Sequence, residues 1–185
     1  SSKKLIFLEP FILPNSVIQY FKKFKDIKVA VDENRCEGME RLLQEENPPQ
    51  VVLLDDAYQH RKIKPGLSIL LTDYYDLYSK NNLVPAGNLR DIKKAAQRAD
   101  IIVATKSPNV ITPYYRRDVE SSLKPLPHQK IFYSYIEYLD FKPFSKISHE
   151  TDIKETKTAL ILCGIANTYS LEDYLKKKYN TISKI

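Results

Sequence analysis

Short, wholly apolar runs of strand length, each closed by polar residues, set the tightest limit on how this chain can fold. Val51-Val52-Leu53-Leu54 runs straight into Asp55 and Asp56. Similar runs, three of them opening on a polar residue (Lys28, Ser68 and Lys130), occur at 28–31, 68–71, 101–104, 130–133 and 159–162. A run that is apolar at every position, rather than at alternate ones, predicts a strand covered on both faces, as in a parallel sheet. Between the runs the period changes. Met39, Leu42 and Leu43 fall at helical spacing within residues 35–44, Pro48-Pro49 stops that helix, and further helical patterns occupy 91–98, 113–123 and 171–179. Alternating strand and helix signals predict an α/β fold, a mostly parallel sheet flanked by helices. Residues 133–147, rich in Tyr and Phe with Pro143 inside, break the rhythm and fit a small antiparallel excursion near 130–147. A length of 185 residues suits a single domain spanning 1–185.

Composition narrows the class. Hydrophobic residues at 43% and charged residues at 28% are ordinary for a globular chain, which argues against disorder and fibrous folds. No apolar run reaches membrane-spanning length; the strongest, 158–163, is strand-sized. The start, Ser1-Ser2-Lys3-Lys4 and then an apolar stretch broken by Glu9 and Pro10, lacks the form of a signal peptide, so cytoplasmic residence is expected. Cys36 and Cys163 have no metal-ligand spacing and read as buried free thiols. A net charge of +6 favours acidic partners. The lysines are scattered, however, and no nucleic-acid-binding signature accompanies them, so nucleic acid is not expected as a partner.

Ligands of open α/β sheets sit beyond the carboxyl ends of strands, so the residues that follow apolar runs are where chemistry is sought. Asp55-Asp56-Ala57-Tyr58-Gln59-His60 puts two acids, an amide and an imidazole at one strand end. An apolar run ending in aspartate has the form of a Walker B element, whose carboxylate holds magnesium beside nucleotide phosphates. The competing reading is a capping aspartate on an ordinary turn. In Leu83-Val84-Pro85-Ala86-Gly87-Asn88-Leu89-Arg90-Asp91, Gly87 permits an unusual backbone or a close approach, and Arg90 offers a bidentate fork for phosphate. Here too a plain turn, with Asn88 or Asp91 capping the next helix, is the alternative. His128 and His149 read as surface histidines.

Together these two segments resemble the tetraacyldisaccharide 4'-kinase family, in which an Asp-Asp-small-aromatic-Gln-His segment precedes a Leu-Pro-Ala-Gly-Pro-Leu-Arg-Glu segment. Weaker matches keep the same order: 31–35, 65–73, 101–106 and 163–166, so that the likeness runs roughly over 19–175. The resemblance implies a P-loop NTPase-like, ATP- and Mg2+-dependent kinase of lipid A biosynthesis. Such an enzyme phosphorylates the 4'-hydroxyl of an acylated glucosamine disaccharide 1-phosphate, giving lipid IVA, at the cytoplasmic face of the bacterial inner membrane. It also implies peripheral contact with an anionic membrane, to which the aromatic stretch 133–144 is suited, core packing being the alternative. By matching positions, Asp55 and Asp56 are catalytic acids and metal ligands, His60 and Arg90 are catalytic, and Gln59 and Asp91 line the cofactor site; Lys106, by analogy with other P-loop proteins, borders the adenine, an exposed loop lysine being the alternative. Asp91 is shorter than the family's glutamate by one methylene.

Two parts of the family pattern have no counterpart in these residues. None of the four glycines, Gly38, Gly66, Gly87 and Gly164, precedes a Lys-Ser or Lys-Thr pair, so no phosphate-cradling loop is present. Where the family's Gly-Asp-Glu-Pro segment is expected, the chain reads Pro14-Asn15-Ser16-Val17, and no Asp-His-His follows 163–166. These gaps lead to the expectation of a fragment of a larger P-loop kinase, inactive alone. A non-catalytic nucleotide- or phosphate-binding module, or a metal-dependent sugar-nucleotide binder, stands beside it.

Overall fold

A computed structural model of the chain describes residues 4–8, 15–139, 157–164 and 168–184. Among the described residues the strands, all paired in parallel, form three ladders rather than one sheet. In the first, β1 (Lys4–Leu8) is central, with β2 (Lys28–Val31) and β3 (Val51–Leu54) on either side; Ile6 lies opposite both Val29 and Leu53. α1 (Asn15–Lys23) precedes β2, and α2 (Arg35–Leu43) joins β2 to β3. The second ladder has the order β4 (Ile69–Asp73), β5 (Ile101–Thr105), β6 (Lys130–Tyr133), with α3 (Pro113–Leu123) connecting β5 to β6. The third pairs β7 (Thr158–Ile161) with β8 (Thr181–Lys184) through α4 (Tyr169–Lys176).

Each of the two larger ladders has its own core. Ile102 of β5 and Ala99 just before it are fully buried against Leu77 and against Val119 and Leu123 of α3, with Tyr58, Tyr74 and Tyr133 packed around them. α3 begins where the sequence says it should: Thr112 caps it, and Pro113 occupies the first turn, where its missing N–H costs nothing. On the first ladder Leu42 of α2 packs against Ala30, Val52 and Leu54.

The two-faced coverage expected of the apolar runs is met in β5, none of whose residues is exposed, but not in β3, β4, β6 or β7. Val51 and Leu53 are 50% and 51% exposed, and Ile69, Leu71, Phe132 and Leu160 are exposed too. Alternate residues of β3, β4, β6 and β7 therefore face solvent, while their neighbours face the helices. The helix expected at 91–98 is a 3-10 helix over Lys93–Arg98. Ala95 O accepts from the Tyr58 hydroxyl (2.8 Å), and Ala96 O accepts both the 3-10 bond from Ala99 N (3.1 Å) and Gln129 Nε2 (2.8 Å), which also reaches Ala99 O just beyond the helix (2.8 Å). β6 pairs parallel with β5, so the described part of the expected excursion contains no antiparallel pairing; 140–147 and His149 lie outside the described residues. Cys36 and Cys163 are free and half-buried, not fully buried, and His128 is exposed. Among the described residues no helix is long and apolar enough to cross a membrane.

Candidate functional site

At the carboxyl end of β3 the chain turns sharply. Asp56 adopts φ 47, a left-handed conformation that Asp tolerates better than most side chains, and His60 N donates to Ala57 O (2.9 Å) to close the turn that follows. Between these residues Tyr58 packs on the core of the second ladder and bonds to Ala95 O. The guanidinium of Arg98 lies 4.8 Å from the centre of the Tyr58 ring and donates to Tyr58 O (3.0 Å). Burial pushes the Tyr58 hydroxyl pKa up, against the lowering effect of Arg98. The β3 loop is thus fastened to the other ladder by one aromatic anchor.

The Arg90 segment is a knot of backbone bonds. Leu89 N donates to Asn82 O (2.9 Å), Val84 N to Leu89 O (3.0 Å) and Gly87 N to Leu83 O (3.1 Å), around a cis Val84–Pro85 bond. Asn81 Oδ1 accepts from Asn82 N and Asn88 N, while its amide donates to both carboxylate oxygens of Asp76. Gly87 is required by close approach rather than by left-handed φ: a Cβ there would lie 2.5 Å from Asn81 Oδ1 and 2.7 Å from Asn82 N.

This knot carries Arg90 onto Asp56. Arg90 Nη1 donates to Asp56 Oδ2 (2.9 Å) and Nη2 donates to Oδ1, a bidentate pair linking two segments 34 residues apart. Both side chains are about half exposed, so the pair contributes no more than about 1 kcal/mol and is open to exchange. Asp91, one residue on, accepts from Ile92 N (2.8 Å), Arg61 Nη2 (3.0 Å) and Arg98 Nη2 (3.2 Å). Burial pushes this carboxyl up, but the Ile92 N–H, the Arg61 hydrogen bond and the charges of Arg61 and Arg98 outweigh it, and its pKa is lowered. Asp91 therefore clamps Arg61 to Arg98 here. The sequence singles out neither Arg61, directly after His60, nor Arg98, and marks Tyr58 only as the aromatic of the Asp55–His60 segment.

Gln59, His60 and Arg61 form one wall of a cavity of about 430 Å³. Asn34, Arg35 and Cys36, at the start of α2, form the other. Arg35 is buried and turned back on its own loop, donating from Nη1 to Asp32 O (2.8 Å) and Glu33 O (3.2 Å). The cavity opens at the carboxyl ends of β2 and β3, and its size is that of a small-molecule site. Lys106 is placed differently. With φ 56 at the end of β5, it donates from Nζ to Asp73 Oδ2 (2.8 Å), and no described contact joins it to the Asp56–Arg90 pair.

Asp55 and Asp56 are both exposed at the strand end. Among the described residues no group of three or more His, Cys, Asp or Glu is gathered to hold a metal ion. Two carboxylates still suit magnesium, which takes one or two protein carboxylates and completes its shell with water and substrate phosphates.

Comparison with known proteins bears on the whole arrangement. The family model described as Tetraacyldisaccharide-1-P 4'-kinase matches residues 17–184. The chain is 42% identical over 169 residues to the tetraacyldisaccharide 4'-kinase of Flavobacterium johnsoniae, covering 90% of this chain and 49% of that protein. To the protein of the same name from Flavobacterium psychrophilum it is 40% identical over 171 residues, and to that from Bacteroides thetaiotaomicron 42% over 151 residues. The latter match covers 81% of this chain and 40% of the relative. The chain thus spans about half the length of the curated relatives it matches. No solved structure matches. With the two site segments joined in space and a family match over nearly its whole length, the chain belongs to the tetraacyldisaccharide-1-P 4'-kinase family.

Proposed function

We propose that the chain forms the strand-end half of a kinase site that phosphorylates the 4'-hydroxyl of an acylated glucosamine disaccharide 1-phosphate at the expense of ATP, giving lipid IVA. The observation that carries this reading is the bidentate Asp56–Arg90 pair, which brings the two family segments to one point at the carboxyl edge of β3. In the reaction the sugar oxygen bonds to the γ-phosphorus, the bond from that phosphorus to the β,γ-bridging oxygen breaks, and ADP leaves. The hydroxyl proton passes to a base, which the matching positions Pro14-Asn15-Ser16-Val17 do not provide.

Within this chain, Asp55 and Asp56 are the residues that would hold Mg2+, which when bound offsets the negative charge of the β- and γ-phosphates. Arg90, lightly held by an exposed carboxylate, exchanges its planar fork from Asp56 to a phosphate. Asp91, fixed by Arg61 and Arg98, keeps the backbone of Arg90 in place while its side chain moves. Gln59 and His60 present an amide and an imidazole to the cavity, where they position the reacting groups. Most of the catalysis in such a site is positioning and electrostatics. Operation at the cytoplasmic face of the inner membrane, in contact with anionic lipid, belongs to the same proposal.

Without a glycine-rich Lys-Ser or Lys-Thr loop, these residues alone bind magnesium ATP weakly and turn over little. Calorimetric titration tests this directly. Asp55→Asn is expected to weaken magnesium ATP binding by about tenfold, the loss of one charged contact worth about 1.4 kcal/mol. An affinity indifferent to both Asp55→Asn and Asp56→Asn, but lowered by Arg90→Ala, would transfer the site to a metal-free phosphate-binding module. Robust phosphoryl transfer by this chain would overturn the inactivity.

A further inference from the structure

Four aspartates at strand ends and connections are fixed by backbone donors. Asp32 accepts from Asn34 N (2.9 Å), Asp73 from Tyr75 N (3.0 Å), Asp91 from Ile92 N (2.8 Å) and Asp100 from Ser68 N (2.7 Å). A carboxylate bonded in this way serves to hold its own loop. Asp56 is built otherwise. Both hydrogen bonds described for its side chain come from the terminal nitrogens of Arg90, and neither from a backbone N–H. Asp55 beside it is exposed and, among the described residues, engages no donor.

The backbone of Arg90 is held on both sides. Leu89 N donates to Asn82 O (2.9 Å), Leu89 O accepts from Val84 N (3.0 Å), and the Asp91 carboxylate is clamped by Arg61 and Arg98. The side chain, by contrast, is 59% exposed, and that of Asp56 is 48% exposed. The guanidinium is therefore able to swing while its Cα stays in place.

A divalent cation bound directly to Asp56 needs a carboxylate oxygen, and Arg90 engages both. A guanidinium and a divalent cation on one carboxylate repel each other even in water. Arg90 also cancels one of the two negative charges that Asp55 and Asp56 present together. The acid pair is thus a poor cation seat while the fork is closed on Asp56, and a better one once the fork turns to another anion. An oxyanion offers that alternative, since two of its oxygens match the planar fork as a carboxylate does.

We propose that the Arg90–Asp56 pair is a latch. Arg90 keeps Asp56 from a divalent cation until an oxyanion draws the fork away, so that cation and oxyanion bind cooperatively through one side chain. Linkage makes the effect reciprocal: a cation at Asp56 raises the affinity of Arg90 for the oxyanion by the same factor. That the oxyanion is a phosphate of ATP rests on the kinase reading; the competition of Arg90 with a cation for Asp56 does not. An exposed ion pair limits the coupling to about fivefold.

Manganese(II) titration of the chain without nucleotide, read by loss of the free-ion EPR signal, measures the latch. Arg90→Gln should tighten manganese binding about three- to fivefold, and Asp56→Asn should weaken it. Lys62→Gln removes a cavity-lining charge that has no described bond to Asp56, and should leave the affinity unchanged at physiological ionic strength. Sulfate, which hardly chelates manganese, should tighten manganese binding to the parent at an ionic strength matched with chloride, and leave Arg90→Gln unmoved. These side chains are exposed, so far-UV circular dichroism of each variant should match the parent. Equal manganese affinity in the parent and Arg90→Gln, or manganese that binds neither, overturns the latch. So does tightening of the same size in Lys62→Gln, which reduces the effect to net charge, or sulfate without effect on the parent. Magnesium ATP titration of Asp55→Asn is the separate readout of the kinase reading. A latch that holds while ATP affinity ignores Asp55→Asn removes the kinase reading alone, and the reverse pattern removes the latch alone.

Discussion

Replacing Asp91 by alanine cuts the clamp between the two site segments, and the structure gives the size of the loss. The carboxylate accepts one backbone N–H from Ile92 and ion-paired hydrogen bonds from Arg61 and Arg98. A hydrogen bond to a charged group contributes about 1.5 kcal/mol net. The Arg61 side chain is 62% exposed, and its pair adds only a few tenths. Arg98 is less exposed but keeps its bond to Tyr58 O after the change, so its share is small as well. The sum is about 2 kcal/mol, or a fall of about 4–8 °C in Tm for a chain of this size. Because the folded-state pKa of Asp91 is lowered, its contribution is present above the unfolded value near 4 and is lost as pH falls through the folded pKa. Urea unfolding followed by circular dichroism should show the full gap between parent and Asp91→Ala at pH 7 and a shrinking gap below about pH 4. A gap that is equally wide at acid pH, or below about 0.5 kcal/mol at pH 7, would refute the clamp.

Gly87→Ala should cost more than about 2 kcal/mol or force the Arg90 segment to rearrange, since the new Cβ meets the backbone of Asn82 rather than a flexible side-chain end. Thermal melts and the tightness of magnesium ATP binding would both register it, and a variant with parental behaviour in both would show that the knot yields easily. Lys124 ends α3 at φ 49, where its N–H bonds to Glu120 O. Lys124→Gly should raise the urea midpoint by an amount equal to about 0.5–1 kcal/mol, and a lowered midpoint would contradict the left-handed cap.

Periodicity made the elements with strong patterns legible. α2 and α3 lie where Met39, Leu42 and Leu43, and the Pro113 start signal, place them, and β2, β3 and β6 coincide with their apolar runs. The central strand β1 does not stand out, because Leu5-Ile6-Phe7-Leu8 is short and lies beside Glu9 and Pro10, and neither α1 nor β8 carries a strong pattern. Strand burial follows the sequence only in β5, because a largely apolar run permits two covered faces but cannot supply the second cover. At the site, the sequence marks Asp55, Asp56, Gln59, His60 and Arg90 only as polar residues following a strand or in a loop, and it carries no signal that Asp56 meets Arg90. The links from Asp91 to Arg61 and Arg98, and from Lys106 to Asp73, were not legible, because contacts between loops leave no period in the sequence.

The solvent-facing rows of Val51 and Leu53, Ile69 and Leu71, Phe132 and Leu160 bear on the calorimetry of the chain. The heat-capacity rise on unfolding reports apolar surface newly wetted, about 12–15 cal/mol/K per residue in a fully packed domain. Side chains already wet in the native state add little to it. The stability curve of this chain is therefore broad and shallow, flatter across temperature than its length alone would set.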